Sequence, residues 1–334
     1  MEKKLLIYNS GGGLGDSVQI VNFLLSVKNL WNDHEIHILE SHNNYYFKNK
    51  LKNLNLNFIK YIDLKIQYFG FRLSHYFKIK KYIKDNNLFF NVIIDLQTKL
   101  RNTCMLKIIP HDIFISSTLN NFFSKPKINS SLPKDKNIII RLCNNINFAF
   151  SNKFKKIKFN TDIIDQKYHS EIKKILPNNN YVGLSIKQGH PSRKKELPIA
   201  YIIQIAQYLL TISKIPVFLI QKNQIELKNY IHNKIPKAIF PEFETEIDDP
   251  CFIVALSKRL SYAITIDNGL MHLIGLSNIP MICIFGPTSS EKFSPTIDNI
   301  KVLDSKKLFN SNSIELIAPK IIINTIEELE KDIK

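Results

Sequence analysis

The stretch ITIDNGLMHLIGLSNIPMICIFGPT, Ile264 to Thr288, reads as a strand, a helix and a second strand. The β-branched run ends at Asp267, and Asn268 and Gly269 follow. His272 lies one turn into an apolar helix that ends before Pro280, and the next apolar run enters Phe285-Gly286-Pro287-Thr288. Two uninterrupted apolar runs joined by a helix indicate strands buried on both faces, hence a parallel sheet covered by helices. The free N–H groups and positive dipole end at Asn268 and Gly269 suit a phosphate, and Gly269 lets a ligand approach closely. A lone His272 reads as a packing or positioning residue rather than a catalyst.

The same alternation extends in both directions. LLIY (Leu5 to Tyr8), EIHIL (Glu35 to Leu39), VIID (Val92 to Asp95) and IFIS (Ile113 to Ser116) are expected strands, with helices over Val18 to Trp31 and Leu73 to Lys84. The pattern weakens from about Asn144 to Asn180, then restarts with YVGLSI (Tyr181 to Ile186), IPVFLI (Ile215 to Ile220), YAITI (Tyr262 to Ile266) and PMICIF (Pro280 to Phe285). This predicts an α/β protein of two doubly wound Rossmann-like domains, 1–165 and 166–334, facing a central cleft. A capping box, Thr325-x-x-Glu328, predicts the start of a terminal helix, which is free to pack back on the first domain.

At 334 residues, 44% hydrophobic and 22% charged, the composition is that of a soluble globular protein of two-domain size. The net charge of +17 points to an anionic partner: nucleic acid, an anionic membrane surface or a phosphorylated substrate. Lys-rich drift on solvated faces explains the same number. The cysteines at 104, 143, 251 and 283 form no close pair, which argues against a zinc site or disulfide framework and fits a reducing cytoplasm. The first apolar run is too short for a signal peptide, and no segment approaches the ~18 apolar residues of a membrane span.

Three further motifs fall at expected strand ends. SGGGLGDSV, Ser10 to Val18, is neither a dinucleotide fingerprint nor a P-loop, because Asp16 stands where a third glycine belongs and no lysine follows. Asp16 is either an N-cap or a base poised to take a proton from a hydroxyl, with Gly13 and Gly15 admitting a ligand to the backbone. VIIDLQTKLRNT places Asp95, Gln97, Lys99 and Arg101 after a strand, as loop polarity or as ligand groups. SIKQGHPSRKKELP carries Lys187, Arg193, Lys194 and Lys195 before Pro198, which reads as the first turn of a helix. Such a cationic loop either neutralises a diphosphate or is simply solvated.

Taken together these motifs resemble glycosyltransferase family 9, the ADP-heptose:lipopolysaccharide heptosyltransferases. The family's D-[ST]-G-x-x-H is matched by Asp267 to His272, its F-G-P-T by Phe285 to Thr288, and its G-x-x-G-D by Gly12 to Asp16. Its D-x-Q-G-x-x-[KR] is matched by Asp95 to Arg101 and its K-x-W-P by Lys195 to Pro198, all in the family's order. The resemblance implies a GT-B fold with acceptor on the first domain and nucleotide sugar on the second. It implies inverting transfer with no metal and no cofactor. Asp16 then falls on the catalytic base and Lys195 on the lysine that contacts the donor phosphates. Asp267, Asn268, Gly269 and His272 fall on the donor motif, and Glu226 on a glutamate that holds the donor ribose. Gly13, Gly15, Asp95, Gln97 and Arg101 fall on the acceptor side. The implied partners are a nucleotide sugar and an anionic glycolipid or glycan acceptor, with peripheral association at the inner face of the cytoplasmic membrane. The chain departs from the pattern at Asn268 for Ser or Thr, Leu197 for Trp and Thr98 for Gly; an Asn can still donate to a phosphate.

Other readings of the same residues are a family member using another nucleotide sugar for O-antigen, capsule or protein glycan, and a fucosyltransferase, whose G-G-L-G turn continues with Asn. A non-catalytic nucleotide-sugar binder is a further reading. Nucleic-acid binding is disfavoured because the basic residues are dispersed and no known module is present.

Overall fold

The computed structural model describes residues 2–9, 13–40, 45–66, 69–70, 72–129, 132, 134–151, 153–187 and 194–333. Gly12 and Arg193, named above, lie outside them. The contacts divide the chain into two compact units, Met1–Phe159 and Asn160–Lys334.

The first unit holds a five-stranded parallel sheet of β1 (Lys3–Asn9), β2 (His34–Glu40), β3 (Ile59–Ile62), β4 (Phe90–Asp95) and β5 (His111–Ser116), in the order β3-β2-β1-β4-β5. The central strand β1 pairs Leu5 with Ile36 on one side and with Val92 on the other. Leu5, Leu6 and Ile7 are fully buried, because helices cover both faces of the sheet. The four expected strands are present. The edge strand β3 escaped the sequence reading because it has only four residues and an exposed Lys60 in its middle.

The expected helix from Val18 begins earlier, at Leu14, and breaks at Ile20 (φ −89°, ψ −3°) into Leu14–Gln19 and Val21–Leu30. After the helix Ile138–Ala149 the chain runs back along Val21–Leu30: the Ile157 N–H donates to Ser26 Oγ and the Phe159 N–H to Asn22 Oδ1, each at 2.8 Å. These bonds keep residues up to Phe159 with the first unit. Asp165 already caps the helix Gln166–Ile175 of the second.

The second unit's sheet consists of β6 (Tyr181–Ser185), β7 (Ile215–Phe218), β8 (Leu260–Ile266), β9 (Met281–Phe285) and β10 (Ile300–Asp304), ordered β10-β9-β8-β6-β7 and again parallel. Each unit is thus a doubly wound, Rossmann-like α/β body, and the two have different switch points: between β1 and β4 in the first, between β6 and β8 in the second. Gly286 of the F-G-P-T segment has a packing reason. A Cβ there would stand 2.9 Å from Ile314 Cβ and 3.1 Å from the Asn312 carbonyl oxygen.

The terminal helix corrects the expected cap. It spans Pro319–Ile333, so Thr325 is interior, and its hydroxyl donates to the Ile321 carbonyl at 2.9 Å. A Thr hydroxyl bonding back one turn is the helix-interior alternative to capping. Ile322, Ile326 and Leu329 are fully buried in the second unit's core with the helix Ile199–Thr211, and Lys214–Glu330 (3.3 Å) and Lys301–Asp332 (2.7 Å) pairs flank that seam. Ile326→Ala is expected to cost about 2–5 kcal/mol in chemical denaturation, because it opens a cavity in a core with no solvent access.

Candidate functional site

In the second unit the residues Lys195, Asp267, Asn268 and Gly269 come together at the carboxyl ends of β6 and β8, where open sheets of this kind bind ligands. Asp267 directly follows β8. Its carboxylate is ion-paired with the Lys195 ammonium, which also donates to the Asp267 carbonyl at 3.2 Å, and both side chains are mostly buried. Lys195 sits on the segment that enters the helix Ile199–Thr211. Pro198, expected in that helix's first turn, is its N-cap. Beside it Lys187 pairs with Glu196 at 2.6 Å.

Asn268 closes the arrangement. Its Oδ1 accepts from the Met271 N–H at 2.9 Å, capping the helix Gly269–Leu276, while its Nδ2 donates to Ser185 Oγ at 2.8 Å and to the Lys187 carbonyl at 2.9 Å. One amide therefore ties the helix start after β8 to the end of β6, and both of its hydrogens are engaged within the protein. A serine or threonine has one donor and could not make both bonds. What the helix start presents to an anion is backbone: the N–H groups of Gly269 and Leu270 precede the one Asn268 caps. His272 is buried within this helix. Glu226 is exposed in the first turn of the helix Ile225–Lys234 that follows β7. Leu197, where the family has Trp, packs in the second unit's core.

In the first unit Asp16 is the third residue of the helix Leu14–Gln19, not its N-cap. That position belongs to Gly13, whose N–H donates to Asp16 Oδ2 at 3.1 Å. The Asp16 side chain is exposed, and Gly15 is half-buried beside it in the same turn. The next residue, Ser17, points inward and donates to Glu40 Oε1 at 3.2 Å, and Asn9 Nδ2 donates to the same oxygen at 3.2 Å. Glu40 ends β2 and was not among the expected site residues; the sequence reading stopped that strand at Leu39. Its Oε2 is buried and has no partner among the described residues. Burial pushes its carboxyl up to about 8, against the Ser17 and Asn9 bonds that lower it, and the neighbouring Asp16 charge raises it further.

Asp95, at the carboxyl end of β4, is fully buried and braces its surroundings. It accepts from Thr103 Oγ1 (2.6 Å), Ser116 Oγ (3.0 Å) and the Gln97 N–H (2.9 Å). Burial raises its carboxyl to about 6 despite these bonds. Gln97 is half-buried on the loop that Asp95 holds, and Arg101 is exposed in the first turn of the helix Leu100–Leu106.

No protein-family model matches the chain. It is 25% identical over 336 residues to lipopolysaccharide heptosyltransferase 1 of Campylobacter coli, covering 94% of this chain and 93% of that protein. Among solved structures it is similar to a glycosyltransferase family 9 protein from Veillonella parvula (TM-score 0.65, 16% identity, 98% and 97% of the two chains). It is also similar to the heptosyltransferase WaaC of E. coli, solved with ADP (TM-score 0.65, 12% identity, 98% and 99%). The chain thus shares the GT-B fold of these proteins along essentially its whole length, and they are proteins of the kind the motifs resemble.

Glu40 yields a pH prediction. Its folded pKa of about 8 exceeds the ordinary 4.5, so the native state binds the extra proton between those values and stability falls as pH rises through that window. Glu40→Gln is expected to unfold at higher denaturant than the parent at pH 8, with the gap closing toward pH 5; a gap independent of pH would contradict the assignment.

Proposed function

We propose that the protein is an inverting, metal-independent glycosyltransferase that moves a heptose from ADP-heptose onto a lipopolysaccharide core or related glycan. The observation that carries this reading is the Lys195–Asp267 pair at the start of the helix Gly269–Leu276. Similarity to lipopolysaccharide heptosyltransferase 1 over nearly the full length supports it.

The reaction asks for two things. The leaving diphosphate must be stabilised as negative charge develops on it, and the attacking hydroxyl must lose its proton. In the proposed mechanism the Gly269 and Leu270 N–H groups and the Lys195 ammonium take the departing phosphates. Lys195 is already held beside the helix start, so little reorganisation is needed as charge develops. Asp16 takes the proton from the acceptor hydroxyl, whose oxygen attacks the anomeric carbon from the side opposite the departing ADP. The carbon–oxygen bond to the β-phosphate breaks, and its electron pair leaves with ADP. Inversion follows from this single displacement.

Further roles belong to the same proposal. Gly13 and Gly15 let the acceptor approach the backbone, and Gln97 and Arg101 bind it, with Asp95 fixing the loop that carries Gln97. Glu40 is a positioning residue that holds the Asp16 turn through Ser17. Glu226 binds the donor ribose, and His272 supports the helix start from within. With a charge of +17 on the chain, an anionic glycolipid is the favoured acceptor, used at the inner face of the cytoplasmic membrane.

The test is incubation with ADP-heptose and a heptose-deficient core acceptor, reading ADP release and the acceptor mass by mass spectrometry. The expected product is heavier by one heptosyl group; release of ADP without acceptor modification, or turnover only with another nucleotide sugar, would contradict the reading. Asp16→Asn is expected to fold and bind ADP as the parent does but to transfer about 10²–10⁴-fold more slowly. Lys195→Ala is expected to lose about 10²–10³-fold in kcat and to weaken ADP binding, a split that separates leaving-group stabilisation from base catalysis.

A further inference from the structure

Among the described residues, the four most exposed large apolar side chains are Leu73 (82%), Phe77 (68%), Phe122 (65%) and Leu119 (60%). All four belong to the first unit, on segments that leave the carboxyl ends of its strands. Leu73 and Phe77 begin the helix Leu73–Asp85 that follows β3, and Leu119 and Phe122 lie in the loop that follows β5. Leu100, also exposed, begins the helix that follows β4. Because the strands are parallel, these segments emerge at one end of the sheet, the end that also carries Glu40 and the Asp16 turn. β3 and β5 are its two edges, roughly 19 Å apart at four strand spacings.

Each apolar tip is set among cations. Arg72 and Lys78 are exposed beside Leu73 and Phe77 at the start of the first helix, and Lys80, Lys81 and Lys84 continue its basic surface toward the other end of the sheet. Leu73 and Phe77 share a face of that helix, one turn apart. Lys99 and Arg101 flank Leu100, and Lys125 and Lys127 follow Phe122, with Lys127 Nζ 5.4 Å from the Phe122 ring. The β5 tip is braced from behind. Asn145 Nδ2 donates to Asn121 Oδ1 (2.7 Å) and Ser117 Oγ (3.1 Å), and Arg141 donates to the Ser117 carbonyl (3.2 Å). Leu119, Asn120 and Asn121 are all held at positive φ (48°, 54° and 67°), a strained conformation for leucine that displays its side chain outward.

Resting on the reading of the acceptor as an anionic glycolipid, we propose that this carboxyl-end rim is a docking surface for an anionic lipid bilayer. Leu73, Phe77, Leu119 and Phe122 enter the interfacial layer, and the surrounding lysines and arginines face the phosphate headgroups. Apolar anchors or a basic patch alone bind a membrane weakly, and the two together bind it stably. No described helix is long and apolar enough to cross a membrane, so the contact is interfacial. The geometry has a functional consequence: a glycolipid stays in the bilayer while its sugar reaches the strand ends that carry Asp16.

The experiment is co-sedimentation of the full chain with vesicles that contain no glycolipid, either phosphatidylcholine alone or phosphatidylcholine with phosphatidylglycerol. The parent is expected to sediment with the phosphatidylglycerol vesicles and to be released by high salt. The variants Leu73→Ser/Phe77→Ser and Leu119→Ser/Phe122→Ser are each expected to bind about tenfold or more weakly with unchanged thermal unfolding. Absence of parent binding to anionic vesicles, or binding of both variants as tight as the parent's, would overturn the docking surface. Transfer to a delipidated acceptor in solution separates this from the proposed activity. That transfer is expected to survive in Leu73→Ser/Phe77→Ser. A parent that binds vesicles but transfers nothing would remove the transferase and leave the docking surface standing.

Discussion

The second unit depends on how one side chain is used. Asn268 is the N-cap of the helix Gly269–Leu276, and its amide reaches across the switch point to Ser185 and the Lys187 carbonyl. Removing the amide would leave the helix start uncapped and cut its tie to Ser185 and the Lys187 carbonyl. A cap of this kind contributes about 1 kcal/mol to the helix. Its larger effect is geometric, because the dipole end and the Lys195–Asp267 pair are then held in one arrangement before any ligand binds.

The first unit treats its acids in the opposite way. Asp16 is exposed at a helix start, and one carboxylate oxygen accepts from the Gly13 N–H. Glu40 and Asp95 are buried at the ends of β2 and β4, on either side of β1, and raised to about 8 and about 6; Glu40 holds the Asn9 and Ser17 side chains and Asp95 the loop at Gln97.

Most of the architecture was legible in the sequence because parallel strands buried on both faces are continuous apolar runs, as LLIY and PMICIF are. The edge strands β3 and β10 were not: each has one side without a partner strand, and Lys60 and Lys301 interrupt their apolar pattern. The Thr325 capping box misled because the same residues fit the middle of a helix that Pro319 had already begun. In the second unit the motifs singled out Lys195 and Asp267 to Gly269, which the fold brings together, but not which atoms of Asn268 were committed. Glu40 was missed because a glutamate at the end of a strand carries no sequence signal of the Ser17 and Asn9 bonds that enclose it.

The central claim is that the start of the helix Gly269–Leu276, with Lys195, receives a nucleoside diphosphate. A crystal structure of the protein with ADP tests it most directly. The account predicts the β-phosphate within hydrogen-bond distance of the Gly269 and Leu270 N–H groups and of the Lys195 ammonium, with Asn268 unmoved on Ser185. Phosphates bound elsewhere, with the Lys195–Asp267 pair undisturbed, would contradict it.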